Sequence, residues 1–134
     1  MKFLGIDFGS KRIGLAIADQ ENNLVLPIQI LNNQSNNKTI QEIKQICQKE
    51  KINKIIVGRP VCLDGKISSQ TKRTDFFIDQ LKKEIRLPID VADERLTSKI
   101  AKQLTGRDDE HSVSAMIILR DYLSRNYLVD NTSS

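Results

Sequence analysis

The sequence predicts an α/β protein built on one mixed five-stranded sheet, its first three strands antiparallel, flanked by helices. Three observations carry this. Residues 3–31 hold three runs of period-two pattern joined by short polar turns. From Ile40 onward the apolar spacing lengthens to that of a helix. Two later short apolar runs alternate with helical segments, which calls for parallel strands joined by crossovers.

The elements follow in order. In residues 3–8, Phe3, Gly5 and Asp7 fall on one face, and Leu4, Ile6 and Phe8 on the other. Gly9-Ser10-Lys11-Arg12 makes a turn. In residues 13–19, Ile13, Leu15 and Ile17 oppose Gly14, Ala16 and Ala18. A third strand, Leu24 to Leu31, follows the Glu21-Asn22-Asn23 turn and completes a meander. Asn32 to Asn37 is a polar loop, and Ile40, Ile43 and Cys47 mark a helix face up to about Glu50. Lys54 to Gly58 is a short buried strand ending at Gly58-Arg59-Pro60. After a loop through Asp64-Gly65, a helix presents Thr74, Phe77, Ile78, Leu81 and Ile85 on one face. Pro88 to Ala92 is the fifth strand, Thr97 to Leu104 a short helix, Gly106 to Glu110 a charged loop, and Ser112 to Asn126 a last helix.

A chain of 134 residues has room for one core of ordinary size. The expectation is one domain over 1–130 with a frayed tail over 131–134. The 39% hydrophobic and 28% charged content fits a folded soluble protein. No apolar run approaches the roughly 20 residues of a membrane span, and the N-terminus enters strand pattern without the regions of a signal peptide. Cys47 and Cys62 show no metal-ligand spacing, so a reduced, cytoplasmic setting is expected. The net charge of +4 hints at a polyanionic partner. With 4% aromatic content and no Trp, a platform for stacking bases has little support in the sequence, and the nucleic-acid backbone is the expected target.

Asp7 is the residue that needs explaining, because burying an unpaired carboxylate is costly. In sheets with helical crossovers, sites gather at the carboxyl ends of the parallel strands. A central first strand would bring Asp7 near Glu94, which follows the fifth strand, with the entry to the last helix (Arg107-Asp108-Asp109-Glu110-His111) beside both. Clustered carboxylates repel one another unless a cation compensates, and Mg²⁺ takes such oxygen ligands. Two divalent ions could activate a water and stabilise the leaving oxygen of a phosphodiester. Plainer roles fit the same residues: Asp7 as a turn cap, Glu94 at a helix start, Asp108 and Asp109 as N-caps, and His111 as a surface or capping residue.

Four segments bear a resemblance to one family. FLGIDFGSKRIGLAIAD resembles the opening signature of the YqgF, or RuvX-like, family of ribonuclease-H-like proteins. IIVGRPVCLDG is similar to its central loop, DERLTSKIA to its aspartate-glutamate-arginine-leucine-threonine motif, and SAMIILRDYL to its final helix. The matches run from residue 3 to about 123 in the family's order. The resemblance implies a ribonuclease H-like fold and a metal-dependent nuclease site, a hydrolase with Mg²⁺ or Mn²⁺, two ions, as cofactor. It implies an endonuclease that processes the 5′ end of precursor 16S rRNA in ribosome biogenesis, leaving 5′-phosphate and 3′-hydroxyl ends. Junction DNA is the alternative substrate, as for a Holliday junction resolvase, a reading that requires a homodimer in place of a monomer. A third reading is a catalytically weak binder that assists ribosomal particles.

Carried over by position, Asp7 matches the family's first acidic residue and Glu94 its second. The third, at the entry to the last helix, aligns with His111, where the family has an aspartate. Three accounts of that departure stay open. The imidazole could ligate a metal or shuttle a proton, a nitrogen ligand that suits Mn²⁺ better than Mg²⁺. Asp108, Asp109 or Glu110 could supply the carboxylate after a small loop shift. Or the site is weakened. Lys11, Arg12, Arg59, Lys66, Arg95 and Arg107 stand beside these motifs and fit contacts to a phosphate backbone. GIDFGSKRIG also resembles the first phosphate loop of actin-like ATPases, but those enzymes need a second such domain, which this chain has no room for.

Overall fold

The computed structural model describes residues 1–9, 11–60, 67–93 and 110–125, and gives the backbone alone for Asp93, Glu110 and His111. The strands are β1 (Lys2–Phe8), β2 (Arg12–Asp19), β3 (Leu24–Asn32), β4 (Lys54–Arg59) and β5 (Ile89–Asp93). The helices are α1 (Asn36–Glu50), α2 (Ser69–Glu84) and α3 (Glu110–Leu123). The helix expected over Thr97 to Leu104 lies outside the described residues, as does the tail after Asp130.

The five strands form one sheet in the order β3-β2-β1-β4-β5. The first three pair antiparallel, and β4 and β5 join β1 in parallel, as the sequence predicts. A turn-bearing Asp19 shapes the first meander: its carboxylate accepts from the Glu21 N–H and from the Asn22 side chain. The strand order makes β1 central, with hydrogen-bonded neighbours on both edges.

Each face of the sheet buries what its alternation dictates. Leu4, Ile6, Phe8, Ile13, Leu15, Ile55 and Val57 pack against Ile40, Ile43 and Cys47 of α1 and Phe77, Ile78 and Leu81 of α2. The other face is built from smaller side chains. Phe3, Ala16, Ala18, Ile56 and Ala92 meet Ala115, Ile118, Leu119, Tyr122 and Leu123 of α3. Small residues on β2 let α3 sit close to the strands, and among the described residues α1 and α2 cover the opposite face.

Two serines start the helices that cover the larger core. Ser35 Oγ accepts from the Lys38 N–H at 3.3 Å, and Ser68 Oγ from the Thr71 N–H at 3.2 Å. Each satisfies a donor that the first helical turn leaves without an intrahelical partner. Thr71 Oγ1 also donates to the Pro60 carbonyl at 2.8 Å, which ties α2 to the end of β4.

Candidate active site

Asp7 lies one residue from the end of β1 and is buried, at 4% exposure. Its position on the odd face of the strand, with Phe3 and Gly5, directs it to the α3 side of the sheet. Pairing fixes what stands beside it. Gly14 of β2 is its partner on one edge, and Gly58 of β4 its partner on the other. Gly58 in turn pairs with Ala92 of β5. The row through Asp7 therefore carries no side chain on either adjacent strand.

Close packing sets where α3 begins relative to that row. A β-carbon on Gly5 would stand 2.5 Å from Leu119 Cγ and 2.9 Å from the Ala115 carbonyl oxygen. The helix is thus in contact with the strand through a position where only glycine fits. Further along, the Phe3 and Tyr122 rings meet with centroids 6.5 Å apart. As β1 advances from Phe3 through Gly5 to Asp7, α3 runs back from Tyr122 through Leu119 and Ala115. Residue 111 lies one turn before Ala115 on the same stripe, about 6 Å back along the axis. The two elements therefore bring position 111 and Asp7 to the same end of the sheet.

The far end of α3 is fixed by a polar clamp. Lys54 Nζ donates to the Tyr122 hydroxyl at 2.6 Å, and that hydroxyl donates to Asp90 Oδ2 at 2.8 Å. Lys54 Nζ also lies 3.7 Å from Asp90 Oδ2 and 5.2 Å from the Tyr122 ring centroid. Burial works to raise the Asp90 carboxyl. The hydrogen bonds from Tyr122 and the Val91 N–H, with the Lys54 ammonium, hold it below the usual carboxylate range. Burial pushes the Tyr122 hydroxyl up.

The remaining expected site residues divide. Lys11 and Arg12 are exposed beside the end of β1. Arg59, at the end of β4, forms a two-pronged ion pair with Asp75 of α2, Nε to Oδ1 at 2.8 Å and Nη2 to Oδ2 at 3.0 Å. That fork draws Asp75 below the ordinary carboxylate range. Glu94 follows the last residue of β5, but Glu94, Arg95, Arg107, Asp108, Asp109 and Lys66 lie outside the described residues. Among the described residues, no three His, Cys, Asp or Glu side chains gather as a metal cluster. Gly14 and Gly58 do not stand out in the sequence, because only the strand register makes them neighbours of Asp7.

The family model of RuvX, described as a Holliday junction resolvase, matches residues 1–125. The chain belongs to the RuvX family. Its relatives include a candidate pre-16S rRNA nuclease of Maridesulfovibrio salexigens, 33% identical over 134 residues, covering 93% of this chain and 99% of that protein. A second, from Orientia tsutsugamushi, is 37% identical over 133 residues, covering 92% of this chain and 84% of the relative. Among solved structures, Thermus thermophilus RuvC in complex with a Holliday junction substrate has a TM-score of 0.63 at 11% identity, over 93% of this chain and 96% of RuvC. At that identity the likeness establishes a shared ribonuclease H-like fold. A fowlpox virus resolvase bound to junction DNA is similar in the same sense, with a TM-score of 0.58, 10% identity, and coverage of 95% and 99%.

Proposed function

We propose that this RuvX protein is a metal-dependent endonuclease that hydrolyses phosphodiesters of precursor 16S rRNA near its 5′ end. The observation that carries the reading is Asp7: a buried carboxylate at the carboxyl end of the central strand, with glycines in register on both sides. An enzyme of this kind would work in the cytoplasm, on ribosomal precursors.

The donor set fits a divalent ion. A carboxylate is the oxygen ligand that Mg²⁺ and Mn²⁺ take, and the glycines in register add no side chain beside it. Glu94 and one of His111, Asp108 and Asp109 would complete the ligand set. When bound, two such ions supply activation of the attacking water and charge stabilisation at the leaving oxygen. The protein's own contribution is position. Asp7 is held on a strand hydrogen-bonded along both edges, so its oxygens keep their place without a mobile loop. Lys11 and Arg12 present exposed cations to the phosphates on either side of the cut. At the start of α3, His111 is the residue that would supply a nitrogen as ligand or proton acceptor.

The test is metal-dependent cleavage of a precursor 16S rRNA 5′ leader by wild type, Asp7→Asn and His111→Ala. Loss of cleavage in Asp7→Asn, with the folded state intact, is the expected result. Undiminished cleavage by that variant would remove the mechanism. Full activity in His111→Ala would move the third ligand to Asp108 or Asp109.

A second reading, resolution of DNA junctions, is favoured by the description of the matching family model and by the fold shared with RuvC. The same variants assayed on a four-way DNA junction separate the two. Binding of either substrate without any cutting would instead leave an assembly factor.

A further inference from the structure

Around the rim of β1 from Asp7, on the opposite side of the sheet, a cleft of about 520 Å³ opens between the start of α1 and the face of α2. Phe8 forms its floor, and Gln34, Ser35, Lys72, Arg73 and Phe76 are among its walls. Phe8 is held in place by stacking on Phe77, ring centroids 4.4 Å apart, and its carbonyl accepts from Gln70 Nε2 at 3.0 Å. Phe76 is different: it is 60% exposed, while Thr74, Phe77 and Ile78 around it are buried. The exposed ring shares one cleft with two cations, Lys72 and Arg73.

The spacing on α2 makes the three residues one surface. Lys72 and Phe76 are four apart and Arg73 and Phe76 three apart, so their side chains share a face. The start of α1 adds the positive end of a helix dipole to the opposite wall. Cations with an exposed ring match single-stranded nucleic acid, whose phosphates pair with the cations and whose bases stack on the ring. An acidic protein segment would satisfy the cations and leave the ring unused.

We propose that this cleft is a second nucleic-acid subsite, which holds a single-stranded RNA segment flanking the cut phosphodiester with one base stacked on Phe76. The assignment to RNA rests on the nuclease reading above. Asp7 and Phe8 are consecutive, with side chains on opposite faces, so the cleft opens at the same end of β1 that carries Asp7. Gln34, exposed on the cleft wall, supplies an amide for a ribose 2′-hydroxyl.

The test uses the full chain carrying Asp7→Asn, in which the nuclease reading expects no cutting, and a fluorescent oligouridylate of about 12 nucleotides. Phe76→Ala is expected to weaken binding about tenfold, and Phe76→Trp to restore it. The Lys72→Ala/Arg73→Ala double variant should reduce the slope of log affinity against log salt by about 1.4, at roughly 0.7 per phosphate on a single strand. Phe76→Ala should leave that slope unchanged. Because all three side chains are exposed, thermal unfolding of the variants should match the parent. Unchanged affinity in Phe76→Ala, or an unchanged slope in the double variant, would overturn the subsite. Equal or tighter binding of the deoxy counterpart would overturn its assignment to RNA. Cleavage that persists in Asp7→Asn would count against the nuclease reading and leave the binding result standing on its own.

Discussion

Leu119 of α3 rests on Gly5 of β1 so closely that a β-carbon there would stand 2.5 Å from its Cγ. This contact, between two residues with no chemistry of their own, sets the height of α3 above the strand that carries Asp7. Gly5→Ala should therefore destabilise the fold by about 1–3 kcal/mol, the usual cost of overpacking. Leu119→Ala should rescue only part of that loss, because the Ala115 carbonyl oxygen, 2.9 Å from the same β-carbon, is backbone and stays. Urea unfolding of the two single variants and the double variant measures the coupling directly.

Gly58 is in register with Asp7, and a side chain added there would rise on the same face. Gly58→Val should lower cleavage by about 100-fold, since small displacements of reacting groups cost that much. Valine suits a strand, so the fold should survive. Parallel circular dichroism and cleavage assays check the separation. Equal losses in both would mean that Gly58 serves packing alone.

The Asp90 clamp predicts a pH dependence of stability. Asp90 is held below the carboxylate range in the folded protein, so the unfolded chain takes up its proton first as pH falls. The stabilisation is complete at neutral pH. It is lost as pH drops below the unfolded value of about 3.9 and through the lower folded value. Asp75 contributes with the same sign through Arg59. Asp90→Asn should flatten the acid limb of a stability–pH curve, and Tyr122→Phe should cost about 1 kcal/mol at neutral pH. An unaltered acid limb in Asp90→Asn would show that the clamp is not what titrates.

Cys47 is buried among the α1 and α2 side chains, and burial pushes its thiol up to about 11. In a Cys62→Ser chain, alkylation by iodoacetamide near pH 8 should be as slow as global unfolding, because the thiolate is the reactive form. Rapid labelling of the folded protein would contradict this account.

Alternation alone makes both faces of β1 and β2 readable, because a period of two assigns every residue of a strand at once. The apolar stripe of α2 is equally plain, and it leaves Phe76 off its line, a signal of exposure that composition hides. The start of α1 is harder to read. The pattern gives a polar loop through Asn37, whereas Ser35 caps a helix beginning at Asn36. Asparagines carry no apolar period to mark a first turn, so only the capping hydrogen bond reveals it. Arg59 is legible as a cation beside a site but not as the partner of Asp75, since the connection between them cannot be traced in sequence. Register is the deepest gap. Asp7 stands out through its motif, yet its two glycine neighbours come from β2 and β4 and meet only when the strands pair.

The clamp at Tyr122 gives α3 the character of a lever. About 16 Å of helix separates residue 122 from residue 111, at 1.5 Å per residue. Gly5 and Leu119 act as the fulcrum, and the two ends answer to different parts of the sheet. A substitution at Lys54, Asp90 or Tyr122 that tilts the helix would displace its other end, near Asp7, in the opposite direction. Substitutions at the end of the sheet remote from the chemistry would then show up as defects in cleavage, in a protein whose carboxylate had not moved.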